Sequence, residues 1–167
     1  MTVRVYRLER KHQRTNMHWT LREKRLRPPF RKSYDSGRVD EWLETYADAG
    51  PPDELHFLGA GRGAEIDGLL TWRIVSWNTT LWLVDIRVRE SKRGTGIGSA
   101  LVDGLKGIAA QEEARGVFVE TQINNHQAVR FYQSQGFEIS GFNDHLYTND
   151  DLEQQNIAIF LFLETDD

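Results

Sequence analysis

Cysteine is absent from all 167 residues. That excludes disulfides, thiolate metal sites and a cysteine nucleophile, so no group can pass through an enzyme-bound thioester. No apolar run approaches the roughly 20 residues of a membrane span, and the N-terminus lacks the apolar stretch of a secretory signal. A cytoplasmic protein away from membranes is expected. The five histidines fall at no metal-ligand spacing, so no metal is expected, and no internal repeat or low-complexity tract interrupts the chain. A length of 167 with 39% hydrophobic residues suits a single domain, 1–167, built on one core.

Charge is present but uneven. The net charge is -4, yet residues 1–32 carry eleven Lys/Arg against Glu9 and Glu23, leaving ten basic against twenty-three acidic residues beyond. An acidic cleft would attract a cationic, amine-bearing molecule, although solubility alone also favours an acidic surface. The basic arm contains no nucleic-acid-binding module and alternates with apolar residues that need burial, so it is expected to pack on the acidic body and not to bind nucleic acid.

The most informative stretch is Leu81–Leu101. Leu81, Trp82, Leu83, Val84, Ile86 and Val88 read as a strand that breaks at Arg89-Glu90-Ser91-Lys92. Gly94, Gly96 and Gly98 follow at spacing two, and Leu101, Val102, Leu105 and Ile108 then recur at helical intervals. Glycines let backbone N–H groups approach a ligand, and a helix N-terminus offers unsatisfied donors beside its positive dipole end. With Arg87, Arg89, Lys92 and Arg93 crowding the turn, the expected ligand is an anion, best a pyrophosphate. The glycine spacing does not fit the dinucleotide fingerprint, and the Gly-Lys-Ser/Thr of a P-loop is missing.

Arg93-Gly94-Thr95-Gly96-Ile97-Gly98 resembles the Arg/Gln-x-x-Gly-x-Gly/Ala segment of the GNAT superfamily of N-acetyltransferases. A second signature resembles that family through Glu120-Thr121-Gln122-Ile123-Asn124-Asn125, Ala128, Phe131-Tyr132 and Gln135-Gly136-Phe137. Within it, the streptothricin acetyltransferases are the branch most similar, through Gly98-Ser99-Ala100-Leu101, Glu120-Thr121-Gln122, Asn124-Asn125, Leu146-Tyr147 and the short Pro28–Tyr34 segment. The resemblance covers about Leu81 to Leu163. It implies an α/β (α+β) GNAT fold: a mixed, mostly antiparallel central sheet flanked by helices, with a splayed parallel strand pair forming an acetyl-CoA cleft.

The implied reaction is direct transfer of acetyl from acetyl-CoA, as cosubstrate, to a primary amine. The acceptor would be a small cationic molecule such as streptothricin or, alternatively, a peptide N-terminus; a non-catalytic acyl-CoA sensor is the remaining alternative. The family often dimerises, so a homodimer is among the implied states. Because an alkyl amine has a pKa of about 10.4, a base must remove a proton at neutral pH. Glu120 is the first candidate, since the matching Glu is the base in family members that acetylate protein N-termini. Asp85 competes, because it interrupts an apolar strand where a charge needs a partner or a cleft; the polyamine and streptothricin branches carry an acid there too. Those branches often have a second acid just before it, where this chain has Val84. Tyr132 would protonate the departing thiolate. The resemblance assigns coenzyme contacts to Ile86, Arg87 and Val88, with the Val88 N–H as oxyanion donor, to Arg93, Gly94, Thr95, Gly96, Ile97, Gly98 and Ser99, and to Asn125.

Elsewhere the patterns predict a first strand over Val3–Leu8, a loop or irregular helix over His12–Arg27, and an amphipathic helix over Val39–Tyr46. Strands are expected at Leu55–Leu58 and Ile66–Trp77, with a flexible turn over Gly59–Gly63 between them. The helix after the glycines should close at Gly116, and Val117–Val119 is a buried strand parallel to the Leu81–Val88 strand. A helix over about Asn125–Gln135, strands from Phe137 and over Ile157–Leu163, and a frayed Thr165–Asp167 complete the chain. Trp72, Trp77 and Trp82 are expected in the core or in strand pairs, with one of them lining the acceptor pocket as the alternative, and His126 and His145 in structural or solvent-facing positions.

Overall fold

The computed structural model describes residues 2–13, 15–30, 39, 54–63 and 65–165. The elements are β1 (Thr2–Gln13), β2 (Asn16–Phe30), β3 (His56–Arg62), β4 (Glu65–Val75), β5 (Thr80–Val88), α1 (Ile97–Gln111), β6 (Gly116–Gln122), α2 (His126–Ser134), β7 (Glu138–Asn143), α3 (Asp151–Gln154) and β8 (Ala158–Glu164). β1 and β2 form a two-stranded sheet, and the remaining strands follow the order β3-β4-β5-β6-β8-β7. The pairs β1–β2, β3–β4 and β4–β5 are antiparallel, and β5–β6 is parallel. This is the mixed, mostly antiparallel α/β arrangement that the sequence predicts. Among the described residues no helix is long and apolar enough to cross a membrane.

The chain divides into two compact units, Asp35–Val119 with Phe162–Asp167, and Met1–Tyr34 with Glu120–Leu161. In the first, α1 packs on the sheet through Leu101, Val102, Leu105 and Ala109, which recur about every turn and are buried; Ile108 is only partly so. Gly68 on β4 permits the approach, since a Cβ there would lie 2.6 Å from the Ile97 side chain. Leu70, Leu81, Leu83, Val117 and Val119 supply the sheet's share of the core. A bulge on β5 opposite Thr71/Trp72 leaves Val84 exposed and without a register partner. The parallel ladder to β6 joins Leu81–Leu83 to Val117–Val119, although β5 runs on to Val88. A bulge adds local twist, and it falls one residue after the last parallel pair.

The second unit has the long hairpin β1–β2, with α2, β7 and α3. Val5, Leu8, Ile123, Val129, Phe137, Ile157, Ile159 and Leu161 are buried. The hairpin is tied in by the Tyr6 N–H donating to the Ile123 carbonyl at 3.1 Å and by the Gln155 side chain, which both accepts from Leu8 N (3.0 Å) and donates to Leu8 O (3.1 Å).

The structure departs from the sequence patterns at several places. The stretch His12–Arg27 is not a loop or helix: it is mostly β2, held by a continuous register from Arg4↔Arg25 to Gln13↔Asn16. Gly59–Arg62 continues β3, with the turn at Gly63. α1 ends at Gln111 rather than at Gly116, because Glu112 and Glu113 leave the helical path, Glu113 with φ 51°. Thr165 is not frayed, since its hydroxyl donates to the Ala114 carbonyl. Trp77 is 86% exposed, not core. Trp72 is buried, stacked on His56 at 4.3 Å. The helix expected over Val39–Tyr46 lies outside the described residues except for Val39, which is helical and buried.

Candidate active site

The glycine segment folds as a turn that exposes backbone. After β5, Glu90–Lys92 makes a 3-10 turn, and the Thr95 hydroxyl closes it by donating to the Lys92 carbonyl at 2.6 Å. Gly94 (φ 76°) and Gly96 (φ 91°) occupy the left-handed region that non-glycine residues rarely adopt. A Cβ at either would meet nothing within 4 Å. Gly96 is the N-cap of α1 and supplies no side-chain cap, so the first N–H groups of the helix face outward with its dipole behind them. Such a cradle suits a phosphate-bearing ligand. Its cations are partly offset: Lys92 and Arg89 lie 3.6 and 3.8 Å from Asp67, and Arg87 is ion-paired with Asp85. Arg93 is exposed and donates from Nε to the Val88 carbonyl at 3.2 Å.

Asp85 therefore shares its charge with Arg87 two residues along the same strand. Glu120 sits differently. It lies on β6 and accepts a hydrogen bond from the phenol of Tyr147, a neutral donor. Burial pushes its carboxyl above the usual range, and the Tyr147 hydrogen bond pulls against that. Burial, followed by the hydrogen bond and the charge of Glu120, pushes the Tyr147 hydroxyl above the ordinary phenol range, so Tyr147 stays protonated. A partly buried carboxylate with an elevated pKa is what base catalysis near neutrality requires.

In the same unit Asn125 caps α2, its Oδ1 accepting from Ala128 N at 3.2 Å. Asn125→Ala should cost about 1 kcal/mol of unfolding free energy, measured by urea denaturation. Tyr132, seven residues on, is buried beside Phe131 and edge-on to Phe137 at 5.6 Å between centroids. His126 stacks on Tyr6 at 5.2 Å, and His145 is paired with Asp144. Among the described residues no three His, Cys, Asp or Glu side chains group as a metal site would require.

Residues 19–137 match the acetyltransferase (GNAT) family. The chain belongs to that family. It is 29% identical over 130 residues to the streptothricin acetyltransferase of Streptomyces lavendulae, covering 77% of this chain and 68% of that protein. Its fold matches the crystal structure of nourseothricin acetyltransferase with a TM-score of 0.75 at 23% identity, over 99% of this chain and 86% of the other. A Bacillus anthracis protein assigned provisionally as a streptothricin acetyltransferase, crystallised with acetyl coenzyme A, matches with a TM-score of 0.69 at 24% identity, over 97% and 84%.

For an acetyltransferase of this family, the sequence singles out Glu120 but not what holds it. Tyr147 stands 27 residues away in a segment with no periodic pattern. Its only signal is the Leu146-Tyr147 likeness to the streptothricin branch.

Proposed function

We propose that this acetyltransferase uses acetyl-CoA to acetylate a primary amine of a small cationic acceptor such as streptothricin. The observation that carries the reading is Glu120: a half-buried carboxylate with a raised pKa and a neutral hydrogen-bond donor, on a strand of an acetyltransferase whose relatives include a streptothricin acetyltransferase. The Gly94–Ser99 backbone and Arg93 would hold the coenzyme's pyrophosphate, where positive φ angles and an uncapped helix start leave N–H donors accessible. Ile86, Arg87 and Val88 would line the arm of the coenzyme, and Asn125 would fix the loop beside it.

The coenzyme supplies the acetyl group as an activated thioester. Glu120 takes the proton that the amine loses as its C–N bond forms, directly or through a water. Tyr132 donates the proton that the sulfur gains as the C–S bond breaks, and the Val88 N–H hydrogen-bonds the carbonyl oxygen. Asp85, paired with Arg87, serves acceptor binding in preference to proton removal.

Thiol release from acetyl-CoA, measured side by side with streptothricin, polyamines, aminoglycosides and N-terminal peptides, tests this. Turnover on streptothricin is expected. Turnover confined to peptides would replace the small-molecule reading with protein modification. Tight coenzyme binding with no turnover on any amine would point instead to an acyl-CoA sensor.

A further inference from the structure

The role given to Glu120 leaves two residues of the same unit unexplained, Tyr147 and Asp151. The segment between β7 and α3 folds around Asp151, whose side chain is fully buried. Its Oδ2 accepts from the Tyr147 N–H at 2.8 Å; its Oδ1 accepts from the Thr148 N–H at 3.0 Å and the Thr148 hydroxyl at 2.7 Å. Burial pushes this carboxyl up, but those hydrogen bonds, with the nearby His145, hold it below the usual carboxylate range. A buried carboxylate is costly unless its oxygens are satisfied, and here they are satisfied by the backbone at and just after Tyr147. The clasp thereby fixes the point from which the phenol extends.

Tyr147 itself is not core. The residue is 36% exposed, and its hydroxyl donates to Glu120 and is also hydrogen-bonded with Gln122, two residues along β6. We infer that Tyr147 is the positioning residue for Glu120: its phenol orients the carboxylate and keeps it anionic, and Asp151 holds the phenol in place. This rests on Glu120 as the base. Burial alone favours the neutral carboxylic acid, which cannot accept a proton from an amine. A cation would also hold the anion but would lower its proton affinity further than a neutral phenol does. A neutral phenol offers one hydrogen bond on Oε1, and a carboxylate retains further lone pairs for the acceptor's proton. The charge of Asp151 acts on Tyr147 and that of His145 on Asp151, while His145 is paired with Asp144, which is also ion-paired with Arg10.

The test is a carboxyl-carbon NMR titration of Glu120 in the full chain and in Tyr147→Phe, assigned with Glu120→Gln and run without acceptor, beside pH profiles of kcat/KM. In Tyr147→Phe the Glu120 midpoint should rise by about one unit, since a hydrogen bond to the charged form is removed. The acid limb of kcat/KM should follow, so that activity falls about tenfold at a pH one unit below the limb and recovers as the pH is raised. Asp151→Asn, with Tyr147 intact, should weaken the clasp, read as faster hydrogen exchange at the Tyr147 and Thr148 amides. Coincident Glu120 midpoints in the native and Tyr147→Phe proteins would overturn the inference even where Glu120 is essential. Wild-type turnover by Glu120→Gln would instead remove the base on which it rests.

Discussion

Glu120→Gln should lower kcat/KM for the amine at neutral pH by roughly 10²–10⁴-fold, the usual contribution of a positioned general base. Glutamine keeps the length of the side chain and an oxygen that can accept from Tyr147, so the substitution removes the proton acceptor with little change in packing. The KM for acetyl-CoA should be nearly unaffected, because the coenzyme contacts are assigned to other residues. The pH dependence gives a second signature. Glu120 must be ionised to act, and burial raises its pKa above the ordinary value of 4.5 against the opposing Tyr147 bond. The wild-type rate should therefore fall as the pH drops through that raised pKa, and the Gln variant should show no such limb. Loss of less than about threefold would show that Glu120 is not the general base. Asp85 would then be the candidate to replace it.

Gly96→Asp should weaken acetyl-CoA binding far more than Gly96→Asn. Both substitutions place a side chain of nearly the same size at φ 91°, a region Asn and Asp tolerate better than other residues. Both project into space where a Cβ meets nothing within 4 Å. They differ in one negative charge beside the helix start proposed to take the pyrophosphate. Two like charges about 4 Å apart repel by roughly 1 kcal/mol in water and 4 kcal/mol at an effective dielectric near 20, or about fivefold to nearly a thousandfold in affinity. Calorimetric titration with acetyl-CoA reads the difference directly, and raising the salt concentration should narrow it. Equal affinities for the two variants would place the pyrophosphate elsewhere.

The sequence is most readable where local pattern and local structure agree. β5 gives way to α1 where the apolar period changes from strand-like to helical, and the glycines between them are needed for their positive φ. β2 is unreadable for the opposite reason. Arg22-Glu23-Lys24-Arg25 lacks alternation in hydropathy, and the strand exists because it pairs residue by residue with β1. β1 in turn is fixed through distant backbone at Ile123 and the side chain of Gln155. The same distinction divides the site. Glu120 and the glycine turn belong to contiguous motifs, whereas the link from Asp151 through Tyr147 to Glu120 joins residues far apart in the chain through a non-repeating turn. The bulge at Val84 is likewise a matter of pairing register, which β5's own apolar run does not reveal. Trp77 shows the limit of composition: a large aromatic next to a strand invites a core assignment, but the 3-10 turn between β4 and β5 carries it into solvent.

Direct acetylation of an amine on a small cationic acceptor leaves a product of known mass. Mass spectrometry of streptothricin after incubation with the purified protein and acetyl-CoA tests it most directly. A product heavier by one acetyl group is expected, formed in step with release of one coenzyme thiol and at least about a hundredfold more slowly by Glu120→Gln. Unmodified streptothricin, with acetyl-CoA consumed only in the presence of peptide amines, would contradict it.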